Sequence, residues 1–488
     1  MSEATCGAST QARPAYRFAH AGYDKRMMPD IVCISPVDGR EVVRRAAASG
    51  AEIEAAIAAA RAAQAEWRRV PVAERAAILS RAVDAMLAMR DGVAPELAWQ
   101  MGRPIRYGGG ELNGFEERAR AMIALAASAL ADIVPEPKPG FKRYVAREPV
   151  GLVLTVAPWN YPYLTAVNSV VPALMAGNAV LLKHAAQTLL VGDRFQVAMD
   201  QAGLPKGLFR TLTLSHDDTS KLIGSGAIDQ VCFTGSVAAG KAIERAAAGT
   251  FSGVGLELGG KDPAYVRADV DLKHAVENVV DGAFFNSGQC CCGIERVYVH
   301  ADIYDRFVDG FVDLTRQYVL DDPLDQKTTL GPMAQPRLAA VVREHIGEAV
   351  HKGARALIDT KGFARDRAGS TYVAPQVLVN VDHGMKVMMD ETFGPVVGIM
   401  KVRDDAEAIR LMNDSPYGLT ASIWTRDMNA AERIGREIET GTVYMNRCDY
   451  LDPGLAWTGV KDTGRGATLS RVGYESLTRP KSYHLREV

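Results

Sequence analysis

Three consecutive cysteines, Cys290, Cys291 and Cys292, end the segment FFNSGQCCC that begins at Phe284. Adjacent cysteines lack the spacing of a C-x-x-C chelate and are poorly placed to bridge one another. A lone cysteine in an apolar run is usually a small buried hydrophobe, which suffices for Cys6, Cys33, Cys232 and Cys448. Ahead of the triplet, Gly288-Gln289 predicts a turn that presents one thiol, near a helix N-terminus where a thiolate is favoured. The chemistry of such a thiolate is nucleophilic attack. Glu257, in Gly255-Leu-Glu-Leu-Gly-Gly260-Lys261, is a single carboxylate inside an apolar, glycine-bounded strand. Either a Lys or Arg pairs with it, or burial raises its pKa and it serves as a general base. Asn160 follows Trp159 in an uncharged, proline-rich loop, where its amide either caps the loop or donates to an oxyanion.

Two glycine patterns invite a phosphate. Gly235-Ser-Val-Ala-Ala-Gly240-Lys241 spells seven positions of a P-loop, but Ala242 stands where a hydroxyl must hold Mg²⁺, so NTPase chemistry is the weakest reading. No Gly-x-Gly-x-x-Gly opens a helix after a strand. What remains is Thr234-Gly235-Ser236 at a helix start, which is either an ordinary turn or an anion site made of free backbone N–H groups.

These residues need elements to hold them. The 488 residues, 48% hydrophobic and 23% charged, form about two or three domains. A net charge of −2 leaves no basic surplus for nucleic acid. Seven cysteines, an odd number, rule out a regular disulfide framework and predict reduced thiols in the cytoplasm. Met1–Arg26 does not read as a secretory signal and is expected to be loose. Pro149–Leu182 carries no charged residue, yet Pro158, Pro162 and Pro172 would break a membrane helix. It reads instead as buried strand, loop, short helix and second buried strand, at Gly151–Ala157 and Ala179–Lys183. Further strands are expected at 230–233, 264–266, 296–300, 396–402 and 421–425. Helices are expected at 51–69, 72–89, 114–131, 190–202 and 241–248, together a doubly wound α/β layer followed by a second α/β series. KPGFKRYVAREP and LTRPKSYHL, the latter Leu477–Leu485, read as exposed ribbons of the kind that bridge subunits.

PWNYP (158–162), FTGS (233–236), LELGGK (256–261), FFNSGQCC (284–291) and ETFGPV (391–396) occur in one fixed order. Together they resemble the NAD(P)-dependent aldehyde dehydrogenase superfamily over about Ser35–Ser482, with support from DPLDQKTTLGP and NDSPYGL. The resemblance implies an aldehyde dehydrogenase-like α/β fold: a Rossmann-type cofactor domain (1–130 and 150–259), an α/β catalytic domain (260–460) and a small β oligomerisation ribbon (131–149 and 461–488). It implies oxidation of an aldehyde to the carboxylic acid with reduction of NAD or NADP, through a cysteine thiohemiacetal and a thioester hydrolysed by water. By the same resemblance Cys291 is the nucleophile, Glu257 the base and Asn160 an oxyanion donor. Trp159, Lys183, Gly235, Ser236, Glu391 and Phe393 line the cofactor, and Tyr161, Asn168, Phe285, Tyr450 and Trp457 approach the substrate channel. Neither metal nor membrane enters the scheme, and a cytoplasmic homodimer or homotetramer follows.

Glu257 weighs against the alternative of a coenzyme A-acylating relative, and the complete Cys291, Glu257 and Asn160 set against a catalytically silent descendant. Two departures from the family pattern matter. Lys183-His184-Ala185-Ala186 has alanine where many relatives carry a ribose-binding glutamate, which removes repulsion against a 2′-phosphate and predicts NADP⁺ use, with Lys183 and His184 near the phosphate. The C-terminal loop Ala456–Gly464 also differs, so specificity is not transferred. An aromatic-lined channel suits an apolar or aromatic aldehyde; a carboxylated one would need a distant arginine to fold in.

Overall fold

The computed structural model describes residues 30–448 and 450–488, so the expectations for Met1–Arg26 and Cys6 lie outside the described residues. Two sheets dominate. The first has six strands in the order Gly464–Arg465, Gly253–Glu257, Gln230–Thr234, Leu152–Val156, Ala179–Lys183 and Phe209–Thr211, parallel except for the first. Leu152–Val156 and Ala179–Lys183 are buried at every position, which accounts for their continuous apolar runs. The second sheet orders seven strands as Arg355–Ala356, Gln376–Val379, Val396–Val402, Ile294–His300, Asp262–Val266, Thr420–Trp424 and Thr442–Met445, parallel except for the first.

The helices expected on both sides of the first sheet form at Gly50–Trp67, Val72–Leu87, Ile105–Ala129, Leu189–Gln201 and Val237–Ala247. Arg90–Met101 adds a helix that the alanine-rich pattern did not separate from its neighbours. Ile105–Ala129 begins earlier than expected because Gly108 lets it cross that helix closely: a Cβ there would lie 2.4 Å from the Ala94 methyl. The prolines do not break Pro162–Met175. Pro158 stays in the loop, Pro162 occupies the first turn where an N–H is free anyway, and Pro172 removes one ladder bond near the end. Among the described residues no helix is long and apolar enough to cross a membrane.

Phe141–Pro149 and Thr478–Arg486 pair with each other as an antiparallel ribbon within one chain, with Tyr144 stacked on Tyr483 at 4.5 Å. Of the segment 461–488, Gly464–Arg465 instead extends the first sheet beside Leu256 and Glu257.

The parallel order places a switch point between Leu152–Val156 and Gln230–Thr234, and the crevice at their C-terminal ends is where open α/β sheets bind ligands. Trp159, Asn160, Lys183, Ser236 and Glu257 all sit at or just beyond those ends. The chain crosses from Glu257 through Gly259-Gly260 into Asp262, so the N-terminal edge of the second sheet meets this crevice. Cys290–Cys292 precede Ile294–His300 on that edge, and Glu391–Phe393 precede Val396–Val402.

Candidate active site

Cys290 and Cys292 are buried and Cys291 is half-buried, so the middle residue is the most accessible of the three. Its loop leaves the helix Leu272–Phe284 through Asn286, Ser287 and Gly288, all in the left-handed region at φ 55°, 57° and 68°. Gly288 is required by packing as well, since a Cβ there would lie 2.3 Å from the Gly394 carbonyl oxygen. No helix starts at the triplet: the chain turns, with the Gly293 N–H donating to the Cys290 carbonyl at 3.1 Å, and enters a strand. The triplet itself therefore opens no helix; the helix start beside it is that of Pro162–Met175, whose N-cap Tyr161 hydrogen-bonds the Cys290 thiol. The sulfurs of Cys290 and Cys292 lie 3.5 Å apart. Hydrogen bonds from its two neighbours lower the Cys290 thiol, while bonding to Cys290 and burial hold Cys291 and Cys292 up. A thiolate on any one of them is solvated by the other two, so one ionises at a time.

Asn160, 5% exposed, donates through Nδ2 to the Gln289 carbonyl at 3.3 Å, which places its amide beside the cysteine loop. Its carbonyl accepts from Asn286 Nδ2 at 3.2 Å and from Arg103. Arg103 is buried, paired with Glu111, and reaches Asn286 Oδ1 at 3.2 Å. Glu111 in turn accepts the Tyr163 and Leu164 N–H groups at 3.0 and 3.1 Å, which anchors the start of the helix Pro162–Met175. Neither Arg103 nor Glu111 stood out in the sequence, because each lies far from the motifs it ties together.

No cation pairs with Glu257 among the described residues. Its carboxylate accepts instead from Thr468 Oγ1 at 2.5 Å and Thr234 Oγ1 at 3.2 Å. Burial raises its pKa, and the two hydroxyls oppose that rise in part. Of the two readings open from sequence, the structure therefore rules out the ion pair.

The dinucleotide crevice has fitting chemistry. Lys183 is 7% exposed, no described residue accepts from its ammonium, and burial pulls its pKa down to about 8. Such a cation calls for a ribose or phosphate oxygen. Ala186, beside it, is exposed and supplies no carboxylate. His184 does not join this site. It is buried and turned inward, its Nε2 at 3.3 Å from the Pro162 carbonyl and its Nδ1 accepting the Ala185 N–H at 3.0 Å, and burial pushes its pKa to about 4. A buried neutral imidazole already committed on both nitrogens cannot serve a phosphate.

Ser236 caps the helix Val237–Ala247, and Gly235 precedes it with its N–H on the Glu257 carbonyl at 3.0 Å. Lys241, the P-loop look-alike, points away to Asp462 at 3.1 Å. Trp159 and Phe393 meet edge to face at 5.7 Å. Glu391 accepts the Gly260 N–H at 3.0 Å, and burial, with help from the nearby Glu295 charge, pushes it up to about 8. Glu295, another residue absent from the motif reading, pairs with buried Lys261 and accepts the Thr392 and Phe393 N–H groups at 2.8 and 2.9 Å. That pair holds Phe393 at its positive φ of 53°.

The expected channel residues are spread around the cysteine loop. Arg103 stacks over Tyr161 at 4.6 Å, Phe285 packs on Tyr107 at 5.1 Å, and Asn168 lines a small cavity with Glu257. Trp457 is buried opposite Thr468, which donates to Glu257. Tyr450 is farther out, half-buried, with its hydroxyl on Glu117 and Arg447 over its ring at 3.6 Å.

The family model described as "Aldehyde dehydrogenase family" matches residues 24–483. An aldehyde dehydrogenase of Paenarthrobacter nicotinovorans is 36% identical, with 93% of this chain and 99% of the relative covered. A succinate-semialdehyde dehydrogenase [NADP(+)] of Deinococcus radiodurans is 33% identical over 92% of this chain and 93% of its own. The crystal structure of an NAD-dependent aldehyde dehydrogenase from Sinorhizobium meliloti superposes with a TM-score of 0.90 at 31% identity, covering 94% of this chain and 92% of the other. With sequence and fold agreeing over this length, the chain belongs to the aldehyde dehydrogenase family and oxidises an aldehyde with reduction of NAD or NADP.

Proposed function

We propose that Cys291 is the nucleophile of this oxidation, Glu257 its base and Asn160 its oxyanion donor. Cys291 as thiolate forms a C–S bond to the aldehyde carbon, and the carbonyl pair moves onto oxygen. Asn160 Nδ2, freed from Gln289, and the Cys291 backbone N–H receive that charge. The dinucleotide, when bound, supplies the two-electron acceptor that turns the thiohemiacetal into a thioester. Lys183 and Ser236 would hold its adenosine end, Trp159, Glu391 and Phe393 its nicotinamide end. Glu257 then takes a proton from water, the resulting hydroxide attacks the thioester carbon, and the C–S bond breaks to release acid and thiolate.

The observation that carries this reading is the state of Glu257: half-buried, unpaired with any described cation, raised in pKa by desolvation, and aimed by two threonine hydroxyls. Such a carboxylate is a base waiting for a proton rather than a structural counter-ion, and it favours hydrolysis over acyl transfer to coenzyme A. Lys183 without a carboxylate at Ala186 supports NADP⁺ use, as does the NADP⁺-dependent relative of Deinococcus radiodurans. The division into cofactor-binding (1–130, 150–259), catalytic (260–460) and bridging (131–149, 461–488) parts belongs to this proposal, with subunit bridging confined to the ribbon at 141–149 and 478–486. A cytoplasmic homodimer or homotetramer completes it. Glu257→Gln tests the core: intact mass after one turnover should show an acyl adduct, mapped to Cys291, that persists for many turnover times of the native enzyme. An adduct on Cys290 or Cys292, or unchanged steady-state turnover, overturns the assignment.

A further inference from the structure

Arg118 lies on the helix Ile105–Ala129, is 8% exposed, and has no carboxylate of a described residue within 4 Å. Its nearest carboxylate candidates are already engaged: Glu111 by Arg103 and two backbone N–H groups, Glu257 by Thr234 and Thr468. Only Nη1 of the guanidinium finds partners, the Leu164 carbonyl at 2.7 Å and Asn168 Oδ1 at 3.4 Å. Nε and Nη2 donate to no described group. Asn168 repeats the pattern. With its oxygen turned to the guanidinium, as a donor-only neighbour requires, its buried Nδ2 has no acceptor among the described residues. Asn168 also lines the small cavity that Glu257 lines, and Arg118 stands directly behind it, joined through the Asn168 oxygen. The Arg118 charge acts on Glu257, Cys291 and Cys292, while burial alone opposes its ionisation. A buried guanidinium and a buried amide that share each other but lack an anion are expensive unless an anion arrives.

Resting on the assignment of Cys291 and Glu257 above, we propose that Arg118 and Asn168 form a subsite for the distal carboxylate of the substrate, a short aldehyde bearing an anionic group at its other end. An acid at that end would take the free Nε–Nη2 edge side-on, the bidentate geometry that guanidinium and carboxylate share. The same contact would orient the aldehyde carbon toward the thiols, so specificity and positioning come from one residue. This revises the apolar or aromatic aldehyde expected from the ring-lined channel: the arginine is there, on a helix that ends well before the nearest family motif at Pro158.

The test compares 4-oxobutanoate with butanal, which share chain length and differ in the carboxylate. Native enzyme should favour 4-oxobutanoate in kcat/KM, chiefly through KM. Arg118→Gln should lower the ratio of the two kcat/KM values by about 10- to 100-fold, the scale of a lost charged hydrogen-bond pair, and Arg118→Lys should restore part of it. An unchanged ratio in folded Arg118→Gln, or a native enzyme indifferent to the carboxylate, overturns the proposal and leaves Arg118 a support for the cavity wall. Calorimetric binding of succinate to the dinucleotide-loaded enzyme separates this from the chemistry. Succinate bound by native enzyme and lost in Arg118→Gln supports the subsite even if neither aldehyde turns over, an outcome that would instead sink the Cys291 and Glu257 reading. No succinate binding to native enzyme overturns the subsite alone.

Discussion

Lys183→Met should make the dinucleotide-free protein more stable and its NADP⁺ affinity worse. The lysine is 7% exposed and its ammonium has no acceptor among the described residues. Burial moves its pKa from the ordinary 10.5 to about 8, which at about 1.4 kcal/mol per tenfold corresponds to roughly 3 kcal/mol of native-state cost, an upper bound because water and side chains relax. Methionine fills similar volume without charge, so a gain of about 1–3 kcal/mol in urea unfolding is expected at neutral pH. Below pH of about 8 the lysine is protonated both folded and unfolded, and the cost is fully present. Between about 8 and 10.5 the unfolded chain binds more protons than the folded one, so native stability rises with pH and the advantage of the variant shrinks. On the proposed assignment the cation that destabilises the empty protein is also the one that holds the 2′-phosphate, so fluorescence titration should show NADP⁺ affinity falling about 10- to 100-fold in Lys183→Met. In the native enzyme that affinity should fall as pH rises through about 8. A variant less stable than native, or one with undiminished NADP⁺ affinity, refutes the reasoning.

Two further outcomes follow from the same geometry. Thr468→Val removes a hydrogen bond that opposes the rise of the Glu257 pKa; since the base acts when deprotonated, the acid limb of the kcat–pH profile should move to higher pH, and an unmoved limb would separate Thr468 from the base. Arg103→Met leaves Glu111 buried and unpaired, and thermal or urea unfolding should register a loss of about 3–5 kcal/mol, whereas a loss under about 1 kcal/mol would mean that Glu111 finds another partner.

Much of the local architecture was legible in the chain. Ala179–Lys183 and Leu152–Val156 show as uncharged runs because both faces are covered, and Cys291, Glu257 and Asn160 are marked by turns and apolar flanks that make a polar residue conspicuous. What escaped was contact across distance. Thr468 meets Glu257 from 211 residues away, and Arg118 meets Asn168 from 50. Nothing in either neighbourhood signals the meeting, since an arginine on an alanine-rich helix reads as a solvated face until packing buries it. His184 failed for a related reason: its position beside Lys183 was plain, but the direction of its ring is set by the Pro162 carbonyl and not by sequence order. The helix N-terminus beside the thiols comes from Pro162–Met175 rather than from the cysteine segment, because three left-handed residues turn that segment into a strand.

The central claim is that Cys291 oxidises aldehydes to acids without coenzyme A. Reduced-nicotinamide formation by purified native enzyme and by Cys291→Ser, with aldehyde and NAD⁺ or NADP⁺ but no coenzyme A, tests it directly. The account predicts sustained turnover by the native enzyme and none by a variant that still binds the dinucleotide. Native-like turnover in Cys291→Ser, or native turnover that begins only when coenzyme A is added, would contradict it.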